Sequence, residues 1–245
     1  MAIWKPAPLW EGSDCFIIGG GPSILTESGV PVDLAEEIKA RKVPLSTLSS
    51  YMPQLHQRHC IGVNLAYSIG PWIDFCFFGD SGFYLHHKQH LVPWPGIKVS
   101  CAPRFAERDD RDPEGIKFMS KDSRKRSGIS MDRGKVAWNQ NSGAASISLA
   151  AQLGVKRIVL IGFDMSLDTG GTSHWHGYHR EIKGNPENRR GIRRKGTLKG
   201  PPFNRHLRGF PVIAEDAKKL GIEILNASPN SAITEFKKVR LRDVL

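Results

Sequence analysis

A long apolar run, a paired-cysteine motif and an apolar leader are all missing from this sequence. No stretch of the 245 residues approaches the roughly 18 consecutive apolar positions of a membrane span. Met1 to Pro6 also lack the apolar core of a signal peptide, so no membrane partner and a cytoplasmic location are expected. Cysteine is scarce: Cys15, Cys60, Cys76 and Cys101 lie far apart with no C-x-x-C spacing, and three fall inside predicted strands. They read as reduced core residues rather than zinc ligands or disulfides. Acidic residues are in deficit as well, 24 against 35 lysines and arginines, which leaves a formal charge of +11. Such an excess attracts phosphate, whether on a nucleotide, a nucleic acid or an acidic substrate. At 40% hydrophobic composition the chain is neither disordered nor fibrous. Its length suits a single α/β domain spanning 1–245 with insertions.

What is present begins with Cys15 to Ile18, a short apolar run that breaks into Gly19-Gly20-Gly21-Pro22-Ser23. The pattern reads as a buried strand emptying into a phosphate-sized loop. Glycines there allow positive φ and close backbone approach, and Pro22-Ser23 open a helix whose free N–H groups favour an anion. A plain strand-to-helix turn is the alternative. Residues 1–13, with Trp4, Pro6, Pro8 and Trp10, read as an arm that packs its tryptophans on the body. Val32 to Lys42 has helical spacing. Cys60 to Ala66 and Ile73 to Asp80 read as buried strands, with Asn64 and Asp80 near their carboxyl ends, where ligand groups collect in an open parallel sheet. Asn64 is equally a turn-former and Asp80 an N-cap. Gly96 to Ala102 and Gly115 to Met119 read as further strands. Residues 103–140 form a charged insertion, irregular over Ala106 to Glu114 and Lys121 to Lys135.

From Asn141 the pattern sharpens into Ser142-Gly143, an apolar helix to Leu153 and the strand Val155 to Asp164. Helix, glycine and strand in that order form one half of a crossover in a doubly wound sheet, and Asp164 falls on the same rim as Gly19, Asn64 and Asp80. The insertion 165–210 is rich in histidine and arginine. His174, His176 and His179, around Trp175 and Tyr178, suit metal ligation or acid/base chemistry. With no fourth ligand fixed by spacing, catalysis or phosphate contact is preferred over structural zinc. A solvated polar loop with an aromatic anchor is the plain alternative. Lys183, Arg189, Arg190, Arg193, Arg194, Lys195, Lys199, Arg205 and Arg208 follow, opposed only by Glu187. Tyr178, Arg189, Arg193, Arg194 and Arg205 are candidates to hold phosphate or an anionic acceptor. A helix from Pro211 to Leu220, a strand from Gly221 to Ala227 and helical turns from Asn230 to Lys237 close the chain.

These landmarks resemble, in order, those of the bacterial sialyltransferases that use a CMP-linked sugar. That family has a G-N-G-P-S loop, an asparagine ending the next strand, a serine-glycine pair opening an apolar helix, a strand ending G-I-D, and a C-terminal P-N-S. Here they read Gly19 to Ser23, Asn64, Ser142-Gly143, Gly162-Phe163-Asp164 and Pro229-Asn230-Ser231. The chain is also similar to the wider group that contains the 6-hydroxymethylpterin diphosphokinases, and in texture to bacteriophage-encoded members of it. The resemblance implies a Rossmann-like, mostly parallel sheet with helices on both faces and a long basic insertion after Asp164. It implies a nucleotide or nucleotide-sugar donor held by the glycine loop, Asn64 and Ser142-Gly143, and inverting transfer with His206 as general base. The diphosphokinase likeness implies instead ATP and magnesium, with Asp80 or Asp164 at the metal. Two departures stand out: Gly20 replaces the family's asparagine, and Met165 and Ser166 stand where its phosphate-holding tyrosines would be. A nucleic-acid-binding or nucleic-acid-modifying protein is the alternative from another class, supported by charge interleaved with Trp175, Tyr178 and Phe203.

Overall fold

The computed structural model describes residues 3–106, 114–177 and 202–245. Strands β1 (Asp14–Ile18), β2 (His59–Val63), β3 (Phe75–Phe78), β4 (Ile97–Ser100) and β5 (Ile116–Phe118) run from the middle of one sheet to an edge. β6 (Ser120–Lys121) and β7 (Lys135–Val136) pair apart from it, while β8 (Arg157–Ile161), β9 (Glu223–Asn226) and β10 (Lys237–Lys238) extend the main sheet to its other edge. The order is β10-β9-β8-β1-β2-β3-β4-β5, and every described pairing is parallel. The chain leaves β1 toward β2 and later returns to β8 on the opposite side. The carboxyl ends of β1 and β8 are therefore the switch point, where an α/β sheet opens a crevice for ligands.

Strands buried on both faces read as unbroken apolar runs, and side-chain alternation divides them between two cores. Cys15 and Ile17 point to the face covered by α4 (Ser142–Gln152) and α6 (Phe210–Leu220), which is entered from α5 (Phe203–Leu207). Phe16 and Ile18 point to the face covered by α1 (Ser23–Glu27), α2 (Val32–Ala40) and α3 (Ser81–Leu91). Between Gly143 and Gln152 every residue of α4 is buried, and its alanines allow close approach to the sheet. The N-terminal arm packs as expected: Trp10 stacks on His59 at 4.7 Å and meets Phe75 edge-on at 5.1 Å. All four cysteines are free and buried, and burial pushes the Cys15, Cys60, Cys76 and Cys101 thiols up.

Three expectations about elements need correction. The Val32 helix stops at Ala40 because Arg41 turns left-handed, at φ 58. The strand read over Cys60 to Ala66 ends at Val63, and Asn64–Ile69 wind into a 3-10 helix. Between β6 and β7 the chain is irregular, as expected, but it is bonded onto α4 and α6. Ser148 Oγ accepts the N–H groups of Ser130 (3.1 Å) and Ala137 (3.3 Å), and Asp216 of α6 accepts that of Ile129 (2.8 Å). The stretch from Asn230 to Lys237 is a turn and an extended segment ending in β10 rather than helix. Its donors are spent elsewhere: Ala232 N–H bonds Asp164 O at 2.8 Å, and Ile233 N–H bonds Ser231 Oγ at 3.0 Å.

Buried Gln152 illustrates how the insertion is held. Its amide donates to Ser130 O (2.9 Å) and Lys135 O (2.6 Å) and accepts the Gly134 N–H (3.0 Å). Gln152→Ala strands these backbone groups, and a buried unsatisfied group costs about 1–3 kcal/mol. Urea unfolding is expected to show a loss of about that size, with hydrogen exchange at Gly134 accelerated; an unchanged midpoint would show that Gln152 does not brace the insertion.

Candidate active site at the carboxyl rim of the sheet

The glycine loop lies against the loop after β8. Gly19 N–H donates to Ile161 O and Gly21 N–H to Gly162 O, both at 2.8 Å. A methyl group on Gly21 would sit 1.8 Å from Asp164 Oδ2, and one on Gly19 2.7 Å from Gly162 O. Close approach of two backbones therefore requires these glycines. Positive φ does not: among the loop residues it occurs across the contact, at Gly162 (φ +68), and at none of Gly19, Gly20 or Gly21.

The donors expected to face a phosphate have a protein partner. Ser23 gives its N–H to Asp164 Oδ1 (3.2 Å) and its hydroxyl to Asp164 Oδ2 (2.9 Å). Pro22 opens α1, as its fixed φ favours, but that helix has only five residues and its first free N–H already grips a carboxylate. Asp164 is 6% exposed. Burial pushes its carboxyl above the ordinary range, against the pull of the two Ser23 hydrogen bonds. Below it, Ser231 Oγ donates to Phe163 O at 2.6 Å and Ser228 Oγ accepts the Phe163 N–H at 3.0 Å. The Pro229-Asn230-Ser231 landmark is thus a brace beneath the rim, with Asn230 exposed.

Asn64 sits just past β2 at φ 53. Its Oδ1 is buried and accepts no hydrogen bond among the described residues. Asparagine tolerates the left-handed region better than most residues, yet the conformation is strained and such strain gathers at functional sites. Asn139 (φ 50), Gln140 (φ 56) and Met165 (φ 50) share it around the same rim. Asn141 caps α4, accepting from Gly143 N at 2.8 Å and Ala144 N at 3.4 Å, and Ser142 Oγ accepts the Gly79 N–H at 3.2 Å. Gly143 is packed against the Phe163 ring, 2.9 Å from where a methyl would lie. Asp80 takes its N-cap role, accepting from Gly82 N at 2.7 Å, and is exposed. Trp138, which the sequence does not signal, covers Gly79 and carries Lys121 Nζ 3.9 Å from its ring centre.

The histidine segment is bolted to the glycine loop. Trp175 is fully buried; its backbone N–H donates to Gly20 O (3.0 Å) and its indole N–H to Gly19 O (3.2 Å). His174 Nδ1 lies 2.8 Å from Ser173 Oγ, and its ring centre is 5.2 Å from that of buried His176. Upstream, Asp168 accepts from Thr172 N (2.6 Å) and pairs with Lys39 of α2 (3.1 Å), so the segment is tied to both neighbours. Tyr178, His179, Arg189, Arg193 and Arg194 lie outside the described residues. His206 is half-buried on α5, three residues before Gly209, where a methyl group would lie 2.8 Å from Asn139 Oδ1. Burial, then the neighbouring Arg205 charge, pulls its imidazole below the ordinary value. Arg205 itself is exposed. No cluster of three or more metal-ligating side chains occurs among the described residues. A cleft of about 540 Å³ opens instead at the β9–β10 edge, and of the landmark residues only Pro229 lines it.

Because burial raises the Asp164 carboxyl pKa, stability depends on pH. The stability its protonated form confers is complete below the ordinary value of 3.8 and is lost as pH rises through the raised folded value. Thermal melts of Asp164→Asn, which keeps a neutral polar group in place, are expected to gain on the native chain as pH rises from about 4 to about 7. Asp164→Ala strands the Ser23 donors and is expected to lose about 1–3 kcal/mol throughout. Parallel pH profiles for Asp164→Asn and the native chain would contradict the assignment.

No protein-family model matches the sequence, and no curated protein matches it significantly. Solved structures do match. The fold is similar to that of the sialyltransferase CstII from Campylobacter jejuni in complex with the substrate analogue CMP-3FNeuAc, with a TM-score of 0.53 and 14% identity over 93% of this chain and 86% of that one. A CST-II variant with CMP scores 0.53, and CST-II with a trisaccharide acceptor and CMP scores 0.52, each at 14% identity with the same coverage. No helix among the described residues is long and apolar enough to cross a membrane. The comparisons show the fold: a Rossmann-like α/β sheet of the kind found in CstII.

Proposed function

We propose that this protein is a glycosyltransferase-like enzyme that binds a nucleotide-linked sugar donor at the rim between β1, β2 and β8. The observation that carries the reading is Asn64, a strained residue at the end of β2 whose buried Oδ1 accepts nothing from the described chain. It stands beside the switch point of a fold shared with CMP-bound structures. A ligand N–H or O–H at Oδ1 would offset the desolvation of that oxygen. Ser142, bonded to Gly79 just past β3, and the glycine loop after β1 belong to the same carboxyl rim.

In this reading His206 is the general base. It takes the proton of the acceptor hydroxyl as the acceptor oxygen bonds to the sugar and the bond from sugar to phosphate oxygen breaks, releasing the nucleoside monophosphate. Its lowered pKa keeps the imidazole neutral, and so able to accept a proton, at neutral pH. The diphosphokinase alternative would bring Asp80 or Asp164 to magnesium. Both carboxylates already accept hydrogen bonds from the chain, which favours glycosyl transfer. The basic segment invoked for nucleic acid or an anionic acceptor lies almost wholly outside the described residues.

The test begins with binding: CMP is expected to raise the melting temperature of the full chain, and Asn64→Ala to abolish the shift. Release of CMP from a CMP-linked sugar is expected to fall by about 10²–10⁴ in His206→Ala with its melting temperature kept. The kcat/KM profile of the native chain is expected to rise with pH to a plateau, with its midpoint below the ordinary histidine value. Absence of any shift with CMP would overturn the donor assignment, and full activity in His206→Ala would overturn the base.

A further inference from the structure

Gly20 is the middle residue of the glycine loop, and its missing side chain has a substitute. A methyl group built there would lie 2.6 Å from His174 Cδ2, 3.4 Å from Nε2 and 3.7 Å from Cγ. The Cδ2–Nε2 edge of an imidazole, delivered from more than 150 positions along the chain, therefore fills the space that a side chain at position 20 would take. We propose that His174 completes the phosphate-binding loop, with its Nε2 edge contacting the phosphate of the bound donor. This rests on the nucleotide-donor reading above and names the residue that holds the leaving phosphate.

Three further observations support it. The ring is fixed at its other nitrogen, since Nδ1 lies 2.8 Å from Ser173 Oγ. The next residue cannot drift from the loop, because Trp175 is fully buried and bonds both Gly19 O and Gly20 O. His174 itself is half-buried, as is Gly20, so the pair sits at the rim rather than in the core. Electrostatics supply the reason for an imidazole. The Ser23 donors are committed to Asp164, and the buried carboxylate under Gly21 disfavours a second anion nearby. A donor beside Gly20, and in its charged form a cation, offsets that repulsion. His174 would also stand in for the asparagine that the resembled enzymes carry at this loop position.

The experiment compares CMP with cytidine by calorimetry on the full chain. His174→Ala is expected to weaken CMP about ten- to a hundredfold, the range of one hydrogen bond to a charged group, and to leave cytidine unchanged. His174→Gln, which keeps an N–H near the loop, is expected to fall between, and it serves if the alanine variant melts early. Gly20→Asn combined with His174→Ala is expected to recover part of the CMP affinity, because the new side chain enters the vacated space. Unchanged CMP affinity in His174→Ala, or equal losses for CMP and cytidine, would overturn the proposal while leaving the donor reading intact. A native chain that binds neither ligand would overturn the donor reading, and this proposal with it.

Discussion

The contact between the glycine loop and the loop after β8 is the constraint on which the rest of the rim depends. Two backbone hydrogen bonds, Gly19 to Ile161 and Gly21 to Gly162, bring main chain against main chain. That spacing leaves no room for a Cβ on Gly19 or Gly21, and it puts Asp164 within reach of Ser23. From Asp164 the network continues downward through Ala232 N–H, while Ser231 and Ser228 hold Phe163 from below. From Gly19 and Gly20 it continues outward through Trp175 to the histidines. The positions of Asp164, His174 and the glycines are consequences of one close approach at the switch point.

The charge arrangement follows from the same contact. A carboxylate beneath a phosphate-sized loop is unfavourable for anion binding unless something on the open side compensates, and Coulomb terms grow where water is excluded. Among the described residues, His174 lies against Gly20 of that loop. This separates the loop from nucleotide-binding turns that rely on a long helix N-terminus, because α1 is only five residues long.

Much of the fold was legible in the sequence because the strands are buried on both faces, so that Cys15 to Ile18 and Ile158 to Ile161 read as apolar runs that end in glycine. The candidate site was legible as landmarks but not as contacts. Gly21 is a glycine because of Asp164, and Gly20 because of His174, partners that local pattern cannot reveal. Trp175 was visible only as a tryptophan between histidines; its two bonds to the loop are tertiary facts. Asn230 to Lys237 read as helix because the stretch lacks breakers after Pro229, and distant acceptors on Phe163 and Asp164 overrode local preference. Lys121 to Lys135 read as irregular and is so between β6 and β7; what the pattern could not show is that Ser148 and Gln152 of α4 hold it. Asp80 shows the opposite case, where the modest local role of a helix cap is the one observed.

The brace formed by Ser228 and Ser231 has a consequence for the order in which the protein is built. Synthesis proceeds from the N-terminus, so β1, β2, β3, α4 and β8 leave the ribosome before the residues that hold Phe163 in place exist. The early strands can pair and bury their apolar faces, but the backbone that presents Asp164 to Ser23 lacks its support until Ser228 and Ser231 have emerged. The central strands can therefore pair during translation before the rim they carry is braced.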